Sequence, residues 1–229
     1  MDLGDVAERY RLPLGAADQL RALLAALSRE PDPQTTVPPD DWIDVHVADS
    51  LAALELPSVR SARRLADLGA GAGFPGLPLA IALPDARGDL IESSGRKAAL
   101  IGRLAAAAGV ANGRAVHARA EDWGRADGAA AYDVVCARAL APLPVALEYA
   151  ASLMAVGGVA VAWKGRRDPA EETAAANAAA QLGLEPVEVR FVEPYRSSRD
   201  RHLHLYRKSS PTPERFPRRA GMASKRPLG

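Results

Sequence analysis

The chain has one cysteine, Cys136, in 229 residues. A single thiol excludes an intramolecular disulfide framework and a zinc site built from thiolates alone. Net charge is also scarce. The 29 Lys and Arg face 28 Asp and Glu, a formal +1, so the average shows no sign of a polyanionic or membrane partner. A long uninterrupted apolar run is lacking too. The most apolar window, residues 139–156, contains Pro142, Pro144 and Glu148 and reads as a buried helix rather than a membrane span. The opening M-D-L-G-D-V-A-E-R-Y is acidic and has no apolar stretch of the secretory kind. These absences point to a cytoplasmic protein with no membrane partner. What is present, 48% hydrophobic and 25% charged residues, is the composition of a globular chain, long enough for one domain and a small appendage. Much of the apolar total is alanine, which predicts a core of small side chains.

The near-zero charge is a sum of unlike parts. Residues 1–60 hold five basic and eleven acidic side chains, and residues 196–229 hold ten basic and two acidic. The chain is electrically polarised. The rhythm of the sequence divides it similarly, into a helical extension (1–60), an alternating strand–helix domain (61–208) and a Pro- and Arg-rich tail (209–229). In the extension, Leu20, Leu23, Leu24 and Leu27 form a helical stripe, and P-D-P-Q-T-T-V-P-P breaks the chain. Asp40 then reads as the N-cap of a helix running through Trp42, Val45, Asp49 and Ala53. From about residue 63, R-L-A-D-L-G, D-L-I-E-S, R-A-V-H-A-R-A, Y-D-V-V-C-A-R and G-V-A-V-A-W-K-G read as strands separated by helices. That alternation implies a mainly parallel sheet flanked by helices. P-V-E-V-R-F-V and H-L-H-L-Y-R alternate more strictly and predict an antiparallel pair at a sheet edge. The tail, with no evident packing partners, is expected to be poorly ordered.

The first strand ends in D-L-G-A-G-A-G-F-P-G, residues 67–76. Gly69, Gly71 and Gly73 permit a tight turn and close approach of a ligand, at the strand end where doubly wound sheets bind ligands. The dinucleotide fingerprint G-x-G-x-x-G requires glycine where Phe74 stands. With Asp67 two residues before the first glycine, D-x-G-x-G-x-G resembles motif I of the class I, S-adenosylmethionine-dependent methyltransferases. Glu92, ending the second strand, stands where a carboxylate accepts two ribose hydroxyls, or is a solvated loop carboxylate. A-E-D at 120–122 is placed for an adenine edge, or is an acidic helix start. Arg138 directly follows an apolar strand, and Lys164 with Gly165 follows the next. Each orients a substrate or cofactor, or is a surface cation. His46 and Asp49 lie three apart on a helix face and read better as a structural or substrate-edge pair than as acid and base. His117, His202 and His204 have no carboxylate or cysteine at ligand spacing, so no metal is expected.

Five further strings narrow the resemblance. H-V-A-D-S-L (46–51), R-A-L-A-P-L (138–143), W-K-G (163–165), R-H-L-H-L-Y-R-K (201–208) and T-P-E-R-F-P-R-R-A-G-M-A-S-K-R-P-L (212–228) occur in order around D-L-G-A-G-A-G-F-P-G-L-P-L-A-I. Together they make the chain similar to the RsmG (GidB) family of bacterial 16S rRNA guanine-N7 methyltransferases. The resemblance implies a class I, Rossmann-like methyltransferase fold. Its sheet would be mostly parallel and seven-stranded with an antiparallel last strand, preceded by N-terminal helices. It implies transfer of the S-adenosyl-L-methionine methyl group to N7 of guanine 527 of 16S rRNA in the small ribosomal subunit, leaving S-adenosyl-L-homocysteine. Carried over by motif, the cofactor residues are Gly69, Phe74, Ala120, Glu121 and Arg138. Asp67, Gly71, Gly73 and Glu92 join them from the general pattern.

Guanine N7 has a free lone pair at neutral pH, so no general base is required and alignment is the expected source of catalysis. No catalytic residue is therefore assigned, although Arg138 and Lys164 are candidates for orienting substrate. The cations from Arg196 to Arg226, which include Arg201, Lys208, Arg215, Arg218, Arg219, Lys225 and Arg226, are candidates for RNA phosphates. Phe216 is read as a base-stacking residue or an anchor for the tail. A monomer is expected. Three other functions compete: a class I methyltransferase acting on a small molecule or protein, an NAD-dependent oxidoreductase, and a noncatalytic rRNA-binding protein.

Overall fold

In the computed structural model, which describes residues 1–229, α1 (Leu3–Tyr10) and α2 (Ala16–Arg29) open the chain. Asp2 caps α1 through a reciprocal box with Asp5. The apolar stripe of α2 buries Leu20, Leu23 and Leu27. The next helical stretch differs from the expected regular helix. It runs as a 3₁₀ turn (Pro39–Asp41), a π-helical segment (Trp42–Ala48), α3 (Asp49–Leu51) and a second 3₁₀ turn (Ala52–Glu55), followed by α4 (Pro57–Arg60). Asp40 is no cap, because the turn starts at Pro39 with Asp40 inside it. A π-helix is costly in isolation and often marks a functional site. Here it brings Asp49 to Arg138 and His46 to Phe74.

The alternating region is β1 (Arg64–Leu68), α5 (Gly76–Ala82), β2 (Arg87–Glu92), α6 (Gly95–Ala107), β3 (Gly113–His117), α7 (Ala120–Trp123), β4 (Tyr132–Arg138), α8 (Leu143–Ala151), β5 (Met154–Lys164), α9 (Pro169–Leu182), β6 (Leu184–Val192) and β7 (Arg201–Lys208). One seven-stranded sheet results, in the order β3-β2-β1-β4-β5-β7-β6. The first five strands are parallel, and β7 runs antiparallel to both β5 and β6. The order reverses between β1 and β4, and the crevice above the carboxyl ends of those strands is where such sheets bind ligands.

One face of the sheet packs with α1, α2, the 39–60 stretch, α5 and α6. Leu20, Leu27, Val47 and Leu51 share a core there with Leu65, Val134 and Val161. The other face carries α8 and α9. The alanine prediction is met in α9, which buries Ala175, Ala178, Ala179 and Leu182. Asp168 caps that helix at Ala170 and Glu171, and Gly183 closes it at φ +76°. No helix is long and apolar enough to cross a membrane.

The tail is packed, contrary to expectation. Phe216 and Ala223 are buried, and α10 (Met222–Lys225) follows. Arg218 Nε donates to Glu148 Oε1 at 2.7 Å, and Arg125 donates to the Pro217 carbonyl. Glu148, on α8, is only 2% exposed. An unpaired carboxylate at that depth is strongly disfavoured, and Arg218 supplies its counter-charge. Phe216 thus acts as an anchor.

Candidate functional site

The loop after β1 turns left-handed at its glycines. Gly69 has φ +64°, and a Cβ there would fall 2.6 Å from Leu140 Cδ1. Gly71 has φ +59° and faces open space, with nothing nearer its notional Cβ than the Gly69 carbonyl at 3.8 Å. The loop therefore offers bare backbone at the switch point. Asp67 serves the loop itself. It is 1% exposed, and its Oδ2 accepts from Gly76 N at 2.8 Å while Oδ1 has no partner. Burial raises its pKa to about 7, against the opposing pull of the Gly76 hydrogen bond and Arg138. Asp67 thus braces the turn through Gly76.

The other expected residues follow around the rim. Glu92, buried at the end of β2, accepts from Gly71 N at 3.0 Å through Oε2, and from Ser94 N at 2.8 Å and Ser93 Oγ at 3.5 Å through Oε1. Ala120 and Glu121 open α7 just beyond β3. The Glu121 carboxylate is taken by the tail, accepting from Gly221 N at 2.8 Å. Arg138 ends β4. Its Nη1 donates to the Val45 carbonyl at 3.0 Å and to Asp49 Oδ2 at 2.9 Å. One corner of the guanidinium is pinned by the π-helical stretch, and its remaining N–H groups have no protein partner.

Beside this rim lies a cavity of about 540 Å³, lined in part by Thr35, His46, Asp49, Arg138, Trp163 and Arg201. His46 joins the cavity to the glycine loop: its ring stacks on Phe74, centroids 4.3 Å apart and planes 9° apart. Its Nε2 lies 2.8 Å from Thr35 Oγ1. Burial, with a contribution from Arg138, lowers the His46 pKa to about 4, so the ring is neutral at neutral pH. His46 and Asp49 are therefore no acid–base pair, since each answers to a different partner. The Asp49 carboxylate lies between Arg138 and Arg201, whose Nε is 3.6 Å from Asp49 Oδ1. Trp163 Nε1 donates to the Asp49 carbonyl at 2.9 Å. Lys164 also lines the cavity and pairs with Glu171 at 2.7 Å.

Among the expected RNA cations, Arg218 and Lys208 are engaged within the protein, as is Arg201 at Asp49. Arg218 is held by Glu148, and Lys208, 4% exposed, donates to the Ala151 and Met154 carbonyls. Arg215, Arg219, Lys225 and Arg226 remain exposed. No residue beyond 208 lines the cavity. The histidines stand apart, and no three His, Cys, Asp or Glu side chains are grouped to hold a metal ion. Sequence reasoning missed Thr35, which sits in the stretch read only as a chain break. It also grouped Arg201 with the tail cations, although its strand carries it to the cavity. The polar Q-T-T between Pro33 and Pro38 was the available signal.

A β3-β2-β1-β4-β5-β7-β6 sheet with antiparallel β7 and a glycine turn at its switch point defines a class I, S-adenosylmethionine-dependent methyltransferase fold. Among solved structures, Aeropyrum pernix fibrillarin with bound S-adenosyl-L-methionine aligns at TM-score 0.54 and 16% identity, covering 69% of this chain and 72% of that one. The mitomycin 7-O-methyltransferase aligns at TM-score 0.61 and 14% identity, covering 90% and 66%. The chain belongs to the rRNA small subunit methyltransferase G family, whose model matches residues 34–203. The ribosomal RNA small subunit methyltransferase G of Rubrobacter xylanophilus is 40% identical over 211 residues, 90% of this chain and 81% of the relative. That of a Synechococcus strain is 36% identical over 217 residues, 92% and 84%.

Proposed function

We propose that this chain is a cytoplasmic enzyme that transfers the methyl group of S-adenosyl-L-methionine to N7 of guanine 527 of 16S rRNA. The observation that carries the reading is the His46–Phe74 stack, which sets a cavity large enough for a base directly against the glycine loop. The loop fits the cofactor: Gly71 opens to free space, and a buried carboxylate, Glu92, stands across from it. Gly69, Gly71, Gly73 and Phe74 would hold the cofactor from one side, Glu92 at its hydroxyls, and the backbone of Ala120 and Glu121 at its purine. When bound, the cofactor supplies a methyl group activated by a sulfonium.

The protein's own share is alignment. N7 is already a nucleophile, so the residues must present its lone pair and keep other donors off it. With its pKa lowered to about 4, His46 is a neutral imidazole near pH 7 and is not an acid that would protonate N7. Arg138 is fixed at Nη1, and its free N–H groups suit guanine O6, the acceptor beside N7. A donor placed on N7 would occupy the attacking lone pair, which is why the pin on Arg138 matters. The exposed cations Arg215, Arg219, Lys225 and Arg226 add phosphate contacts at the tail. Mass spectrometry of digested 16S rRNA from cells lacking the gene is the test. The expected result is loss of 7-methylguanosine at that position, restored by the gene. Full occupancy without it would sink the assignment.

A further inference from the structure

We propose that Phe191 and His202 form an RNA-binding subsite, a platform on which an unpaired nucleotide flanking the target guanine stacks. The inference rests on the rRNA methyltransferase reading and adds a place for the neighbouring nucleotide. It starts from strand register. Lys164 pairs with His202 across β5 and β7, and His202 pairs with Phe191 across β7 and β6. Residues directly opposite in neighbouring strands share a face, so Lys164, His202 and Phe191 form one row. Lys164 and His202 line the cavity, and Phe191 stands on the edge strand. With strands about 4.8 Å apart, the row spans about 10 Å from the cavity to the sheet edge. Consecutive nucleotides of a single strand bridge that distance.

The chemistry of the row is that of a nucleic-acid platform. Phe191 is 54% exposed, whereas Phe74 and Phe216 are buried. Its ring centroid is 5.4 Å from that of His202 at an interplanar angle of 57°. Beside His202 about half of Phe191 is open to solvent, on the edge strand of the sheet. His202 is oriented from behind: its Nδ1 is 2.9 Å from the Gly165 carbonyl. A carbonyl only accepts, so Nδ1 carries the proton and, in the neutral ring, Nε2 is an acceptor with no protein partner. A ribose 2′-hydroxyl is a donor that such an acceptor meets. Cations adjoin the row. Lys164, paired with Glu171, is at its inner end, and Arg166, next to Gly165, is exposed and has no carboxylate within salt-bridge distance. An aromatic face bordered by cations binds successive bases of a single strand with little regard to sequence.

The test uses full-length enzyme and small ribosomal subunits from cells lacking the modification. Phe191→Ala is expected to raise KM for subunits about ten-fold, with kcat within about two-fold of wild type and S-adenosylhomocysteine affinity unchanged. Phe191→Trp keeps the stacking surface and should retain the wild-type KM. A photoreactive phenylalanine analogue at position 191 should crosslink to a nucleotide adjacent to the target guanine. If wild type methylates subunits but Phe191→Ala leaves KM unchanged, the platform is wrong and the enzyme assignment stands. If wild type leaves subunits unmethylated, both fall. A dimer that Phe191→Ala dissociates, with KM unaltered, would give the patch to a second copy of the chain and overturn the proposal.

Discussion

Residues 34–49 and residues 209–229 both lie outside the strand–helix alternation, and their charges suggest the wrong division of labour. The first belongs to the acidic end of the chain, yet it supplies Thr35, His46 and Asp49 to the cavity and pins Arg138. The second belongs to the basic end, yet it lines none of that cavity and spends Arg218 on the buried Glu148. Net charge reports how a segment meets solvent. Which segment builds a site depends on where its few buried polar groups find partners. Asp49 does more for an anionic substrate by fixing a cation than an unfixed tail arginine does by adding one.

Asp49 is where a single substitution should cost most. Asp49→Ala leaves Arg138, 14% exposed along its side chain, without its carboxylate. The expected cost is about 4 kcal/mol of stability and, from a misplaced guanidinium, about 100-fold in kcat. Urea denaturation and single-turnover methylation of small subunits measure the two. Asp49→Asn should recover part of the stability by keeping an acceptor and little of the rate, because the charge is gone. If removing the tail lowers kcat as far as Asp49→Ala, the two ends do not differ in the way argued.

The tail gives the second contrast. Arg218→Met strands Glu148 in the core and should cost about 3 kcal/mol, with kcat retained below the melting range. Pairing it with Glu148→Leu should recover most of that loss, which a double-mutant cycle in urea would read. Replacing Arg215, Arg219, Lys225 and Arg226 with glutamine should leave stability nearly unchanged. If those four meet phosphates, the dependence of log Kd for subunits on log salt becomes shallower by up to about 3. An unchanged slope would make the tail wholly structural.

These contrasts also mark what the sequence made legible. Strands β1, β2, β4 and β5 are buried over most of their length on both faces, so they appear as largely apolar stretches, and the glycine loop is confined to a few residues. The antiparallel pair at the edge was legible from its alternation. The pins were not. Asp49 and Arg138 are 89 residues apart, and Glu148 and Arg218 are 70 apart. Nothing local to either partner shows that it is buried. Lys208 ends a strand whose alternation suggests a surface cation, and it is buried only because α8 presents the Ala151 carbonyl to it. The π-helical stretch was misjudged for the same reason, as tertiary contacts at His46 and Asp49 hold a geometry that local propensity does not favour.

The smallest expected effect concerns how deeply the N-terminal segment is committed to the core. His46 is held neutral, its pKa lowered to about 4, while Asp67 is held protonated, its pKa raised to about 7. The unfolded His46 ring takes up a proton at its ordinary 6.5, so its contribution to stability is complete above that pH and is lost as pH falls toward 4. Asp67 has the opposite sign. Its contribution is complete below the ordinary 3.8 and is lost as pH rises toward 7. Between about pH 4 and 6.5 the two slopes oppose each other. Relative to wild type, His46→Phe, which keeps a ring against Phe74, should lose about 2 kcal/mol as pH rises across that window. Asp67→Asn should gain a comparable amount over the same range. Substituting exposed Arg219 should leave the wild-type profile intact. If all three variants run parallel to wild type in urea titrations from pH 4 to 7, His46 is solvated in the folded chain. The stack on Phe74 would then not bind the first segment to the glycine loop, and the two ends of the chain would be alike in lying outside the core.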